Sequence, residues 1–199
     1  MRCAAVRHPP GNNGEMLAEP LEVALADACR GDDAAVGVVY RALHPQLLRY
    51  LRHHVGPMAE DVASEVWLAI ARRLPDFSGS IDEFRALLFT IARRRVVDHH
   101  RRQARQARTD ALTGDHAARE DVGIEDAAVE RLTAQGAIEL LVRHLPPDQA
   151  EIVLLRVLAE LDVWQVAEIV GKSKGAVRVA QHRALRRLQR IFEQERVRP

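Results

Sequence analysis

The sequence predicts an all-α protein, and three observations support that prediction. Aromatic residues make up only 4% of the 199-residue chain, although 47% of it is hydrophobic. Apolar residues recur at helical spacing, and no alternating β-branched run lies between hairpin turns. Ala, Leu, Val and Arg are abundant, which favours helices. The length allows one or two compact domains with hydrophobic cores.

The first 20 residues differ from the rest of the chain. The stretch MRCAAVRHPPGNNGEM lacks the apolar core of a signal peptide, so we expect residues 1–20 to form a disordered tail. No apolar run approaches the ~20 residues of a membrane-spanning helix, so we expect no membrane insertion. Cys3 and Cys29 lack the spacing of a metal site or a disulfide framework. This favours a reducing, cytoplasmic location with no metal and no cofactor.

Three helical segments are expected in the N-terminal half. Helical pattern begins at Leu21 and continues until a Gly-Pro pair at 56–57 stops it. The next segment, 58–74, has one apolar side and ends at Pro75. That side contains Val62, Val66, Leu68, Ala69 and Leu74.

A capping box predicts where the third segment begins. Ser80 and Glu83 form an S-x-x-E pattern, which places the start of a long helix at about Ile81. Charge then divides into two blocks: residues 93–108 carry seven arginines and one aspartate, and residues 109–130 carry seven acidic residues and one arginine. The basic block favours an anionic partner, and the acidic block predicts a solvated linker. We therefore expect domains at 21–108 and 131–199, joined by a linker at 109–130.

The basic block allows a metal site as an alternative, because Asp98, His99 and His100 are ligand types. Successive residues of a helix are rotated by about 100°, so these three side chains point in different directions. Helical metal motifs instead place their ligands at i and i+4. Because Asp98, His99 and His100 are adjacent and not at i and i+4, they argue against a metal-dependent phosphoesterase or nuclease. We expect no enzyme activity.

The arginines, by contrast, share a side of the helix. Arg94, Arg101, Arg105 and Arg108 fall within roughly a 60° sector, and Phe84, Leu87, Leu88, Ile91 and Ala92 occupy another side. The alternative is a solvated face on which Asp98 pairs with Arg94, Arg101 or Arg102. Seven arginines and no lysine favour phosphate or base contacts, because the guanidinium fork suits both.

The C-terminal half predicts a helix-turn-helix. A Pro-Pro pair at 146–147 precedes a helix start, and Gly171 lies four residues after the small residue Ala167 and six before the apolar Val177. A final helix is expected from about Lys174 to Glu195. Its exposed face would carry Lys174, Arg178, Gln181, His182 and Arg183. An ordinary helical hairpin is the alternative, because it can have the same glycine turn. Such a hairpin would not need the basic face.

These two blocks resemble a known family. The stretch DVASEVWLAIARRLPDFSG followed by FRALLFTIARRRVVDHHRR resembles region 2 of the extracytoplasmic-function (ECF) sigma factors of bacterial RNA polymerase, and LPPDQAEIVLLRVLAELDVWQVAEIVGKSKGAVRVAQHRALRRL resembles their region 4. The resemblance implies a promoter-specificity subunit that binds core polymerase and recognises the −10 and −35 elements. An autonomous helix-turn-helix regulator remains the alternative.

The resemblance also implies partners and residue roles. The helix of residues 58–74 would dock on the β′ clamp helices, and region 4 would meet the β flap. Candidates for polymerase binding are Asp61, Glu65, Trp67 and Leu68. Candidates for the −10 element are Ser78, Gly79, Ser80, Ile81, Arg93, Arg94, His100 and Arg101. Candidates for the −35 element are Lys174, Arg178, Val179, Gln181, His182, Arg183 and Arg186.

Three positions depart from the family pattern. Leu87 stands where the family often has Trp, Arg94 where it has Asn, and Trp164 where it has Glu. We expect Trp164 to be exposed and to help bind an anti-sigma factor, which would hold the protein at the membrane. Packing within region 4 is the alternative for Trp164.

Overall fold

The computed structural model describes residues 15–113 and 142–196, and every regular element in those ranges is helical. Seven α-helices are present in them, with short 3-10 turns at Gly56–Met58 and Leu74–Asp76. The helices are α1 (Glu15–Cys29), α2 (Asp33–Val55), α3 (Ala59–Ala71), α4 (Ile81–Thr113), α5 (Pro147–Val157), α6 (Val163–Val170) and α7 (Lys174–Arg196). The prediction of an all-α fold is confirmed.

The first four helices pack around one core. Its largest fully buried side chains include Leu43, Leu47, Tyr50, Phe84 and Phe89. Asp32 caps α2 by accepting from the backbone N–H of Ala34 at 2.8 Å, and Gly56 ends α2 with a positive φ of 55°. The predicted break at the Gly-Pro pair is therefore present.

The predicted capping box fixes the start of α4. The Ser80 N–H donates to Glu83 Oε2 at 2.8 Å, and the Glu83 N–H donates to Ser80 Oγ at 3.3 Å. Glu22 of α1 adds a third restraint by accepting from the Ile81 N–H at 2.7 Å. As predicted, Phe84, Leu88, Ile91 and Ala92 are buried along α4, and Leu87 is partly buried against the core.

The C-terminal domain is built from α5, α6 and α7. Pro147 occupies the first turn of α5, where the missing N–H is not needed. Asp162 and Gln165 form a capping box at the start of α6. The core of this domain includes Leu154, Val166 and Val177.

Three details differ from the sequence-based expectations. Helix α1 begins at Glu15, so residues 15–20 are helical rather than a disordered tail, because the helix is held by packing of Leu21 and Leu25. Helix α4 continues to Thr113, past the expected linker start. Leu68 is 59% exposed and does not belong to the core, because it points away from the contacts of α3 with α2 and α4. The remainder of the expected tail and linker lies outside the described residues.

Candidate nucleic-acid interface

The outer face of α7 presents the predicted basic side chains together. Three residues, Val177, Ala184 and Leu188, anchor the helix to the core. The opposite side contains six exposed residues, Lys174, Arg178, Val179, His182, Arg183 and Arg186, with Gln181 half-buried at its border. None of these cations forms an ion pair with another described residue. The face is therefore open to a groove of DNA.

The turn before α7 has the geometry expected of a helix-turn-helix. Gly171 has a left-handed φ of 69°, a conformation that favours glycine. The N–H groups of Gly171 and Lys172 donate to the carbonyls of Glu168 and Ala167, which end α6. Ala167 is 6% exposed and Val177 is fully buried, as predicted for the crossing point and the anchor.

The basic face of α4 divides into two parts. Arg94 and Arg101 are exposed and have no ion-pair partner among the described residues. Arg93 is half-buried, and its Nε lies 2.8 Å from Glu151 Oε1 of α5. His100 is exposed on the same side as Arg93. Thus only part of the predicted set is available to DNA in this conformation.

The solvated-face alternative for α4 included ion pairs of Asp98, and the structure does not show these pairs. Among the described residues, the carboxylate of Asp98 pairs with none of Arg94, Arg101 and Arg102, and Arg102 Nε instead donates to the Asp98 carbonyl at 3.3 Å. The side chain of Arg108 lies outside the described residues. In the described ranges, no three His, Cys, Asp or Glu side chains are arranged to hold a metal ion.

The loop before α4 is shaped by its glycine. A Cβ at Gly79 would lie 2.7 Å from Glu83 Oε2 and 2.9 Å from a carbon of the Phe77 ring, so only glycine fits without a shift. Ser78 and Gly79 are exposed and Ser80 is half-buried. Ile81 is 6% exposed, so its side chain belongs to the core and not to the loop surface. The loop offers Ser78, Gly79 and Ser80 to a ligand.

The outer face of α3 combines apolar and acidic groups. Asp61 is exposed, and Glu65 lies 3.5 Å from Arg95 of α4. Trp67 is half-buried and donates from Nε1 to His44 Nδ1 at 3.2 Å, while Leu68 is exposed beside it. A cleft of about 470 Å³ opens next to these residues between α2 and α3.

Two carboxylates that the sequence did not single out approach arginines of α4. Glu151 contacts Arg93, and Glu160 Oε2 lies 2.7 Å from Arg85 Nη1. Each pair joins residues far apart in the chain. No local spacing pattern links such residues, so sequence analysis could not identify them.

Trp164 is half-buried rather than exposed. It lines a shallow cleft of about 360 Å³ beside the helix-turn-helix, together with Ala167, Glu168, Gly171, Lys172, Ser173 and Lys174. The prediction that Trp164 is exposed is wrong, because this residue lies in the first turn of α6 and its side chain lines the cleft beside the helix-turn-helix.

Comparisons with known proteins identify the family. The Sigma-70 region 2 family model matches residues 39–106, and the Sigma-70 region 4 model matches residues 135–188. The ECF RNA polymerase sigma factor SigD of Mycobacterium tuberculosis is 39% identical over 179 residues, covering 87% of this chain and 84% of that protein. The chain belongs to the ECF family of RNA polymerase sigma factors.

Other sigma factors extend this similarity. The ECF RNA polymerase sigma factor ShbA of Streptomyces griseus is 34% identical over 177 residues, covering 84% of this chain and 92% of that protein. The structure of RpoE with the anti-sigma factor NepR from Bartonella quintana shares the fold, with a TM-score of 0.59 and 22% identity over 77% of this chain and 95% of that one. CnrH in complex with the cytosolic domain of CnrY gives a TM-score of 0.57 and 20% identity, covering 87% and 97%.

The matched ranges assign the helices of this sigma factor to its regions. Region 2 contains most of α2, all of α3 and most of α4, and region 4 contains α5, α6 and most of α7. The exposed basic face of α7 thus belongs to region 4, and the Gly79 loop belongs to region 2. No helix in the described ranges is long and apolar enough to cross a membrane.

Proposed function

We propose that this sigma factor directs core RNA polymerase to promoters by reading the −35 element with α7 and the −10 element with α4 and the Gly79 loop. It acts as a specificity subunit and not as a catalyst. The observation that carries the proposal is the exposed basic face of α7, which the Gly171 turn presents and three buried residues hold in place. A helix with this face fits the major groove.

At the −35 element, Arg178, His182 and Arg183 are proposed to contact base edges. Arg side chains suit the paired acceptors of guanine, and the three residues are exposed on one side of α7. Lys174 begins the helix and is proposed to contact a phosphate. Val179, Gln181 and Arg186 border this surface, so we assign them supporting contacts.

At the −10 element, a displaced base would enter near Ser78, Gly79 and Ser80. Extruded or single-stranded bases are held by a pocket and by nearby cations. Arg94 and Arg101 are exposed beside each other on α4 and would follow the strand. His100 and Arg93 lie on the adjacent side. The side chain of Ile81 is buried in the core, so we assign only its backbone to the −10 site.

Polymerase binding is proposed for the outer face of α3. The exposed Leu68 supplies apolar contact, and Asp61 and Glu65 supply negative charge around it. Such a mixture of an apolar centre and charged surroundings is typical of a protein interface. The partner surface is the β′ clamp helices, with the β flap as a second contact for region 4. Trp67 positions this face through its bond to His44.

We also propose an anti-sigma factor as the restraining partner, acting in the cytoplasm or holding the sigma factor at the membrane. One structure of similar fold, RpoE from Bartonella quintana, is a complex with the anti-sigma factor NepR. Trp164 remains our proposed contact, because a partly exposed aromatic ring beside a cleft offers apolar area to a partner. Unchanged anti-sigma affinity in Trp164→Ala would remove this assignment.

The test of the proposed function is transcription in vitro with bacterial core polymerase on fragmented genomic DNA of the source organism. We expect discrete transcripts that share upstream motifs and that disappear with Arg178→Ala. The matched control is Arg187→Ala, because Arg187 lies on the same helix but donates to the His144 carbonyl of its own domain. Absence of transcripts, together with salt-sensitive duplex binding by the free protein, would instead establish an autonomous regulator.

A further inference from the structure

A cavity of about 550 Å³ lies where the C-terminal end of α2 meets the segment before α5. Two arginines and two histidines line it, together with four apolar residues: Arg52, His53, His54 and Arg143, and Val142, Leu145, Pro147 and Ala150. The described residues that line it include no carboxylate. Arg52 belongs to region 2 and Arg143 to region 4, so both regions contribute a cation. We call this space the basic cavity.

The two histidines of the basic cavity lie in a positive electrostatic potential. Burial, together with the charge of Arg143, lowers the pKa of His53. Burial, and after it the charges of His53, His100 and Arg93, lowers the pKa of His54 to about 3. Each of these charges is positive, so burial and repulsion both favour the neutral imidazole. An anion in the cavity would offset the repulsion.

Two carboxylates pair with cations of this part of the molecule without lining the cavity. Glu60 Oε1 lies 3.9 Å from Arg52 Nη2, and the two side chains are 64% and 45% exposed, so water screens their attraction. Glu151 Oε1 lies 2.8 Å from Arg93 Nε and is engaged there. Neither carboxylate is paired with Arg143. The positive charge at the cavity is therefore only partly balanced by the described residues.

His54 provides an observation that is separate from the charge. Its Nε2 atom is buried and has no hydrogen-bond partner among the described residues. Its ring packs against those of Tyr50 and His53, with centroid distances of 4.5 and 5.0 Å. A buried polar atom without a partner costs free energy, and in native proteins such an atom usually meets a water molecule or an ion. Because His54 lines the basic cavity, a ligand there can reach this ring.

Stabilisation of the end of α2 is the simpler explanation for some of these residues. Arg52, His53 and His54 occupy its last turn, where basic side chains interact favourably with the negative end of the helix dipole. That explanation does not apply to Arg143, which comes from the segment before α5 and lines the same cavity. It also leaves the Nε2 atom of His54 without a partner. A ligand accounts for all four residues.

We propose that the basic cavity binds a small molecule that bears a phosphate group, with Arg52 and Arg143 on the phosphate and His54 Nε2 as a further hydrogen-bond donor. The guanidinium fork matches the oxygens of a phosphate. The remaining lining is apolar and suits an organic group, and the volume falls within the range of about 300–1,000 Å³ of small-molecule sites. None of the lining residues belongs to the proposed DNA or polymerase contacts. The site thus goes beyond the proposed function.

The test is isothermal titration calorimetry of the full-length free protein with two probes, inorganic phosphate and AMP, at constant ionic strength. We expect saturable binding with one ligand per molecule. Tighter binding of AMP would assign the site to an organic phosphate, because the apolar lining then contributes. Equal binding of both probes would assign it to free phosphate.

Variants at two exposed arginines locate the site. Arg143→Gln should raise the dissociation constant about tenfold or more, because a charge-assisted hydrogen bond is lost. Arg143→Lys keeps the charge without the fork, so its affinity should be intermediate. Arg72→Gln is the matched control, because Arg72 follows α3 and does not line the cavity. This variant should bind as the wild-type protein does.

The pKa of His53, followed by nuclear magnetic resonance, gives a second readout. Bound phosphate should raise this pKa, because a nearby negative charge favours the imidazolium. Arg72→Gln should keep the rise, and Arg143→Gln should lose most of it at the same phosphate concentration. His53→Gln assigns the signal.

Two results would overturn the proposal. One is the absence of saturation by either probe up to about 10 mM. The other is an equal loss of affinity in Arg143→Gln and Arg72→Gln, which would show that phosphate is attracted by the general positive charge of the arginines. Neither measurement uses polymerase or promoter DNA, so its outcome is independent of the proposed function.

Discussion

Helices α4 and α7 both carry arginines for which we propose DNA contacts, but the two helices are held in different ways. Helix α4 is packed into the core of region 2 through Phe84, Leu88 and Ile91, and two of its arginines also pair with region 4. Helix α7 is anchored by Val177, Ala184 and Leu188, and its basic face pairs with no described residue. A change on α4 can therefore alter folding, domain arrangement and DNA binding together. A change on the outer face of α7 should alter DNA binding alone.

The largest expected effect concerns how tightly α4 and α7 are packed into their cores. Leu88 of α4 is fully buried, so Leu88→Ala should lower the free energy of unfolding by about 2–5 kcal/mol, because it leaves a cavity in the core. The control is Leu185→Ala on α7, where the side chain is 46% exposed and the expected change is within about 0.5 kcal/mol. Urea unfolding followed by circular dichroism measures both. Equal effects would show that α7 is packed as tightly as α4.

The second prediction tests the DNA-binding half. Arg178→Ala should weaken binding of the holoenzyme to duplex promoter DNA by about 1–3 kcal/mol, because a base-edge contact is lost. The free energy of unfolding should change by less than about 0.5 kcal/mol, since Arg178 is exposed. Arg94→Ala on α4 should instead weaken binding to a fork with a single-stranded −10 element. The comparison fails if Arg178→Ala destabilises the fold. It also fails if Arg178→Ala and Arg94→Ala weaken binding to the same one of the two DNA substrates.

The third prediction concerns a titratable group in region 2. Burial, helped by the nearby His53, His100 and Arg93, lowers the pKa of His54 to about 3. The unfolded chain therefore takes up this proton first, near the ordinary histidine pKa of about 6.5. Stability is present above that pH and is lost as the pH falls below it. From pH 7 to pH 5 we expect a loss of about 2 kcal/mol in the free energy of unfolding from this residue.

Substitution separates His54 from the other histidines. His54→Gln should reduce the slope of the stability profile between pH 7 and pH 5, because no proton is then taken up on unfolding at this position. Burial also lowers the pKa values of His53 and His99, so part of the slope should remain. Urea unfolding at each pH gives the profiles of the wild-type protein and the variant. A wild-type slope that survives in His54→Gln would exclude His54 as its source.

The smallest expected effect concerns the turn that presents α7. Gly171→Ala should destabilise region 4 by about 1–2 kcal/mol, because its φ of 69° favours glycine. Gly175→Ala is the matched control: a Cβ there meets only Ser173 Oγ at 3.9 Å, so stability should be unchanged or slightly higher. Hydrogen exchange of region 4 amides compares the two. Equal protection in both variants would mean that the turn is not restrained as we describe.

The local features of the fold were predictable from sequence, because they depend on residues a few positions apart. The capping box of Ser80 and Glu83, the break at the Gly-Pro pair and the left-handed Gly171 all appear as expected. The apolar stripe of α4 was also correct. The start of α1 was not predicted correctly. This helix includes Pro20 and shows no local start signal, because packing against α2 holds it.

The candidate site was predicted in part. Sequence spacing grouped the exposed residues of α7 correctly except for Gln181, which is half-buried. The grouping succeeded because one helix carries them all and its buried side is apolar. On α4 the family resemblance treated Arg93, Arg94 and Arg101 alike. The structure separates them, because Arg93 meets a carboxylate from another region. The burial of the Ile81 and Trp164 side chains likewise depends on neighbours outside their own helices.

Residue order alone indicates that this protein is helical, where most of its helices begin and end, and which faces are apolar or basic. Helical periodicity and capping act over three to four residues, so the order of side chains is enough to reveal them. Which cations are available depends on how the chain packs in three dimensions. Pairs such as Arg93 with Glu151 join residues 58 positions apart. Their contact depends on how two domains pack, because no local rule brings such residues together.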